Sequence, residues 1–448
     1  MKKDIKTIMF RGVRKSAHLT RRSLYKGARF SEKVENKAHR IINGIDSTIN
    51  INDHIKFEKY YYESLPYITP LYPALPTADR KGMVTLLIPS LQKSSFFGGT
   101  ATAIIFACEL ASKMGLNIRI VETLKHGEAD KGDIVDFVKN NDYKFNNSNV
   151  VLIDVSARRF NIYGYIDIHP NDIFLVSAWW DAYIADRLPL PNKYIYLIQD
   201  YEPIFYSNSD KFVLADSTYK SDKFLPVCNT ELMYKFMASK NFKYIKDCGL
   251  WFEPAVNIGS KYGYIDKNKI GKKRVFIYGR PSVERNLFYI ALKSIDYLFS
   301  EGLANPKDYE IFMAGQDKIS DIQLPCGITI INLGKMAITD YYKFVPTVDI
   351  ALSLMLAPHP NYPTLEFASC GVQVITTIYE TKTNLSIYSE NIHIVEPDFI
   401  KIASTIVKLS DFNRSVAIDN AMQCNIPNNW NDALNNVISS IALYYKNN

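Results

Sequence analysis

The chain has 448 residues, 47% of them apolar, and a formal charge of +7 from 53 basic and 46 acidic side chains. That length exceeds one hydrophobic core and suits two α/β domains, while no apolar run approaches the ~20 residues of a membrane span. The six cysteines are scattered without a CxxC pair and no signal-peptide core follows the basic start, so reduced structural cysteines in a cytoplasmic protein are expected.

Residues 1–40 hold thirteen Lys/Arg against Asp4, Glu32 and Glu35, a local charge of +10, leaving −3 on the remainder. A basic arm with sparse apolar residues such as Ile8, Phe10 and Leu19 suits an anionic lipid surface, here the inner face of the plasma membrane. No nucleic-acid motif accompanies the charge. Residues 51–80 are rich in Tyr and Pro and read as an irregular lead-in. Strands are then predicted at 83–88, 117–121, 149–155, 173–178, 193–198, 211–215 and 224–227, with a helix at 100–114. After a break at 252–273, strands at 274–278, 309–314, 329–333, 349–356, 373–377 and 392–395 alternate with helices at 286–299, 338–345 and 364–369. A last helix is predicted at 429–445. Near-continuous apolar strands alternating with helices predict parallel sheets covered on both faces. The expected plan is α/β: a basic arm (1–50), two Rossmann-like domains (51–255 and 271–425) facing a cleft, and a C-terminal helix (426–448) that can return to the first domain.

Several strand ends carry chemistry. The segment Pro358–Gly371 runs from an apolar strand through a proline-rich turn into a helix, with Pro363 in its first turn and Gly371 past its end. Free N–H groups and the helix dipole there suit an anion. Glu366, read as first-turn, is placed to hold ribose or sugar hydroxyls, and His359 lies in the same loop. Gly98, Gly99 and Thr100 open a helix in a way that admits a ligand close to backbone N–H groups, although neither GxGxxG nor a Walker loop is present. Arg280 and Arg285 flank a proline turn after the strand at 274–278, and Lys335 follows another strand; guanidinium forks match phosphate geometry. The chain has no Asp-x-Asp, no HxxxH and no Cys cluster. No metal site is therefore expected, and a bound diphosphate would rely on those cations and helix dipoles. In the first half, Trp179, Trp180 and Tyr201 could stack on sugar rings, while Asp181, Asp200 and Glu202 could bind hydroxyls or take a proton.

These strings resemble a glycosyltransferase of GT-B fold in glycosyltransferase family 4, and more narrowly the WsaF-type bacterial rhamnosyltransferases. The carriers are Trp179-Trp180, Gln199-Asp200-Tyr201-Glu202-Pro203, Tyr278-Gly279-Arg280-Pro281-Ser282 with Arg285-Asn286, and His359-Pro360-Asn361-Tyr362-Pro363 leading to Glu366 and Gly371. The resemblance implies that the second half binds a nucleotide-sugar, dTDP-linked rhamnose foremost, through Arg280, Arg285, Asn286, Lys335, Tyr362, Thr364 and Glu366. It implies that the first half binds a glycan or lipid-linked acceptor through Gly98, Gly99, Thr100, Trp179, Trp180, Asp181 and Tyr201, with Asp200, Glu202 and His359 as catalytic candidates. Two positions depart from the wider family: Arg285 stands for a lysine, and Pro358 for the first of two glutamates, which leaves His359 and the loop backbone to replace it. A sugar-nucleotide epimerase and a non-catalytic nucleotide-sugar or glycan-binding module are the rival expectations.

Overall fold

The computed structural model describes residues 60–93, 96, 98–140, 149–160, 163–256, 271–316 and 320–447. The basic arm lies outside them. Contacts divide the chain into Met1–Tyr61 and Tyr62–Asn448, and everything described below belongs to the second unit.

The first half runs through β1 (Tyr72–Ala74), β2 (Met83–Ile88), β3 (Asn117–Glu122), β4 (Val150–Asp154), β5 (Tyr165–Asp167), β6 (Ile173–Val176), β7 (Tyr194–Ile198), β8 (Phe224–Asn229) and β9 (Leu250–Phe252). Apart from the β1–β5 ribbon, these strands form one parallel sheet in the order β4-β3-β2-β6-β7-β8-β9. Every residue of β7, Tyr-Ile-Tyr-Leu-Ile, is buried, as a parallel strand covered on both faces requires. The helices are α1 (Gly98–Met114), α2 (Lys131–Lys139), α3 (Trp179–Ala185), α4 (Asp210–Thr218), α5 (Glu231–Ser239) and α6 (Lys243–Cys248).

The second half contains β10 (Lys273–Tyr278), β11 (Tyr309–Ala314), β12 (Ile322–Gln323), β13 (Thr329–Asn332), β14 (Ile350–Leu352), β15 (Gln373–Thr377) and β16 (Ile392–Val395). Their order is β12-β13-β11-β10-β14-β15-β16, parallel except for β12 at the edge. Its helices are α7 (Phe288–Ser300), α8 (Ile338–Phe344), α9 (Tyr362–Ala368), α10 (Phe399–Ser410) and α11 (Arg414–Met422). Both sheets reverse their winding beside their first main strand, between β2 and β6 and between β10 and β14. Doubly wound sheets bind ligands at the carboxyl ends of the strands at such a point.

The expected α/β class, with two Rossmann-like parallel sheets, is the observed one. The terminal helix α12 (Trp430–Asn447) returns to the first half, where Leu434, Val437, Ile438 and Ile441 join Ile104, Cys108 and Ala111 of α1 in one buried cluster. Their spacing puts all four on one helix face, and burial of each contributes ~1.5–3 kcal/mol. The two chain crossings between the halves touch: Val256 N–H donates to Pro427 O at 2.7 Å. No helix among the described residues is long and apolar enough to cross a membrane.

Two predicted elements differ. Residues 211–215, expected as a strand, lie in α4, whose N-cap Ser209 accepts from Phe212 N–H. A run of four apolar residues, Phe212–Ala215, suits either structure, and the cap decides it. The strand expected at 349–356 pairs only over Ile350–Leu352. Beyond it the backbone leaves the ladder: Met355 N–H donates to Thr377 Oγ1 at 3.0 Å and Leu356 N–H to Arg285 O at 2.8 Å.

Candidate active site

Three loops at the carboxyl edge of the second sheet are joined through their backbones. Gly279 N–H donates to Ala314 O at 2.8 Å, and Gly315 N–H to Gly334 O at 3.0 Å. This brings Arg280, after β10, and Lys335, after β13, onto one edge. Gly315 has φ +132°, and a Cβ there would lie 3.0 Å from both Arg280 Cγ and Gly279 O. Only glycine fits that crossing without displacing the arginine. Arg280 Nη1 donates to Tyr278 Oη at 3.3 Å, and Lys335 is exposed.

Arg285 turns toward the first half. Its Nε lies 3.4 Å from Asp200 Oδ2, an ion pair across the domain boundary, and its guanidinium covers the Phe205 ring at 4.0 Å. Burial lowers the Arg285 pKa, offset by Asp200. Burial likewise raises the Asp200 carboxyl above its ordinary value, against the pull of Arg285, the Tyr201 N–H and Lys382. Two residues on, Glu202 accepts from Trp179 N–H at the start of α3. Burial, reinforced by Asp200 and Asp181, pushes Glu202 up to about 8. Asn286 is buried at the end of the turn that carries Arg285.

The loop after β14 supplies His359. Its Nδ1 accepts from Asn361 N–H at 2.9 Å, which leaves the proton on Nε2. Burial, with Lys382 and Arg285 nearby, holds the ring down at about 3, so it is neutral. Asn361 has φ +75°, and its side chain donates to Ser353 Oγ (3.1 Å), as does the Thr364 hydroxyl (2.9 Å). Neither caps α9, whose first turn has no side-chain cap. Tyr362 lies across the domain boundary from the first half: its hydroxyl is 2.6 Å from Thr102 Oγ1 and accepts from Asn229 Nδ2 at 3.0 Å. Glu366 belongs to the second turn of α9 rather than the first, since the helix begins at Tyr362. It accepts from Tyr341 Oη at 2.9 Å, and burial pushes it up to about 7.

The structure divides the residues expected on the acceptor side. Gly98, Gly99 and Thr100 open α1 at the cleft, Gly98 with φ +55°, and Gly99 O accepts from Gln199 Nε2 at 2.9 Å. Trp180 is part-buried, its ring 5.8 Å from Tyr67. Trp179, Asp181 and Tyr201 are buried instead, which removes the surface that sugar contact requires. The Trp179 indole N–H donates to Tyr206 Oη and the Tyr201 hydroxyl to Asp216; both rings lie in the body of the first half. A cleft of about 700 Å³ is lined by Phe205, Tyr206 and Lys211 of the first half and by Ser282, Glu284 and Arg285 of the second.

The sequence reading missed Tyr206, Lys211, Asn229 and Lys382. Only Asn229, two residues after the strand predicted at 224–227, sat where strand-end logic could have found it. Four buried polar atoms in this region have no hydrogen-bond partner: Gln199 Oε1, Asn229 Oδ1, Arg285 Nε and His359 Nε2. Orphaned groups are uncommon inside folded proteins and mark where a water or ligand atom would bond. Among the described residues, one trio has metal-ligand spacing, Glu122, His126 and Asp154, within 4.8 Å of one another. It lies at the ends of β3 and β4, and Glu122 Oε1 is already committed to the Leu91 and Gly127 N–H groups.

Comparison with known proteins adds independent findings. Residues 83–231 match "WsaF, N-terminal domain" and residues 273–407 match "WsaF, C-terminal domain". The O-antigen biosynthesis protein RfbC of Myxococcus xanthus is 32% identical over 226 residues, which are 50% of this chain and 17% of that protein. The chain therefore spans about a sixth of that relative. Among solved structures, a glycosyltransferase from Rickettsia africae aligns with TM-score 0.50 and 14% identity, over 82% of this chain and 98% of that one. Anabaena Alr3699/HepE in complex with UDP and glucose aligns with TM-score 0.52 and 10% identity, over 81% and 99%. At such identities the likeness concerns the fold, and that fold is GT-B.

Proposed function

The chain belongs to the WsaF family of glycosyltransferases, and from that premise we propose that it transfers L-rhamnose from dTDP-L-rhamnose to a growing surface polysaccharide, with no divalent ion. The observation that carries this reading is the joining of the loops bearing Arg280 and Lys335 on one sheet edge, with Arg285 reaching from the same half to Asp200. A departing nucleoside diphosphate needs fixed positive charge, and preorganised donors in a water-poor site supply it without reorganisation. Arg280 and Lys335 are assigned to the diphosphate, and Glu366 to the ribose once Tyr341 yields. The name of the RfbC relative supports a surface glycan as product, and the UDP and glucose of HepE support a nucleotide-sugar donor.

In this reading Asp200 takes the proton of the attacking acceptor hydroxyl, and Arg285 keeps it ionised despite burial. Glu202 is spent on the start of α3. The basic arm would hold the enzyme at an anionic inner leaflet, close to a lipid-linked acceptor.

A panel of nucleotide-sugars screened by thermal shift tests the donor. dTDP and dTDP-L-rhamnose should raise the melting temperature of the native chain, and Arg280→Ala should lose that rise. An undiminished shift in the variant removes the diphosphate assignment. Liposome sedimentation tests the arm, since deleting residues 1–40 should release the protein from anionic vesicles.

A further inference from the structure

We propose that Lys382 is a positioning residue of this reaction: its ammonium clamps the loop between β14 and α9 and so fixes the His359 ring in the site. The proposal rests on the functional reading above. Lys382 lies in the turn after β15, where it and Tyr379 exchange backbone hydrogen bonds of 2.8 and 3.2 Å. Its side chain is 0% exposed. A buried ammonium is expensive, and an apolar side chain of similar length in its place is often neutral or stabilising. Stability therefore gives no reason for a lysine here.

Its contacts do. Nζ donates to Met355 O at 2.9 Å and reaches His359 O at 3.5 Å. Those carbonyls stand at the two ends of a five-residue loop, so one cation closes it. The same loop is held to β15 through Met355 N–H and to the Arg285 carbonyl through Leu356 N–H. Closing it fixes the His359 ring, whose Nε2–H is buried without a partner. The charged and titratable groups around this point are Asp200, Glu202, Arg285, His359, Tyr379, Glu380 with its partner Lys240, and Lys382 itself. Of these, Lys382 and Arg285 act as cations on Asp200, and both also discourage a proton on His359.

The full chain with Lys382→Met and Lys382→Arg tests the clamp. The readouts are melting temperature, dTDP affinity, the pH profile of kcat for dTDP-L-rhamnose turnover, and amide exchange at residues 356 and 361. Lys382→Met should keep or raise its melting temperature and bind dTDP within about threefold, yet lose kcat on the order of 100-fold, as a small misplacement does. Its acid limb should move to higher pH because Asp200 has lost a cation, and Lys382→Arg should move it back. Exchange at 356 and 361 should quicken. A kcat within about threefold of wild type overturns the proposal, as does an unmoved acid limb or parallel loss of melting temperature, binding and turnover in both variants. If the wild-type chain neither binds dTDP nor turns over dTDP-L-rhamnose, the functional reading fails by itself. The clamp is then judged by amide exchange, and unchanged exchange rejects it.

Discussion

The two halves share a winding but not a charge. At the carboxyl ends of its strands the first half presents acids, Asp200 and Glu202, each pushed up by burial. The second half presents cations at the matching ends: Arg280, Arg285, Lys335 and Lys382. One backbone plan thus carries opposite electrostatics on facing edges. The joined loops of the second half suit a charged leaving group, and the acids of the first suit a hydroxyl that must give up a proton. The division of labour follows from side chains rather than from topology.

Breaking the acidic side should have the largest effect. Asp200→Asn should lower kcat by on the order of 10²–10⁴, the range of a lost general base, with dTDP affinity little changed in a calorimetric titration. Breaking the cationic side at Arg285→Ala should cost on the order of 10²–10³ in kcat and should also strand Asp200 without its ion pair. Leu434→Ala tests whether the first half depends on the returning helix. It should cost ~2–5 kcal/mol in denaturant unfolding and leave dTDP affinity unchanged.

A finer contrast lies in pH. Glu202 has a folded pKa of about 8 against an ordinary 4.5, so the folded chain holds its proton longer than the unfolded one. Stability should therefore fall as pH rises between those values. Glu202→Gln should be more stable than wild type at pH 8 and nearly equal at pH 4, measured by urea unfolding. Lys382, lowered by burial to about 7 from 10.5, behaves oppositely: its penalty is fully present below 7 and disappears as pH climbs toward 10.5. The smallest effect belongs to Tyr362→Phe. It removes the hydroxyl between Thr102 and Asn229 and should cost ~1 kcal/mol, seen as a modest drop in melting temperature.

Much of the frame was legible in sequence because both sheets are parallel and their strands are apolar runs that helices separate. Arg280 and Lys335 were legible for the same reason, since each directly follows such a run. The run at 211–215 was not, because its four apolar residues fit either period until Ser209 caps them. Burial at Trp179 and Tyr201 was equally hidden: aromatic residues beside acids at strand ends look alike whether they face solvent or core. Lys382 sits in a polar stretch, Glu380-Thr381-Lys382-Thr383-Asn384, that reads as a surface turn. Only the tertiary packing encloses it, against carbonyls 23 and 27 residues away.

The bond from Val256 to Pro427 has a mechanical consequence. Two passages of chain join the halves, and among the described residues this bond ties one to the other. Any parting of the lobes at that spot would have to break the bond or carry both passages together. A wedge substitution at either passage, far from bound nucleotide, would set how wide the lobes gape.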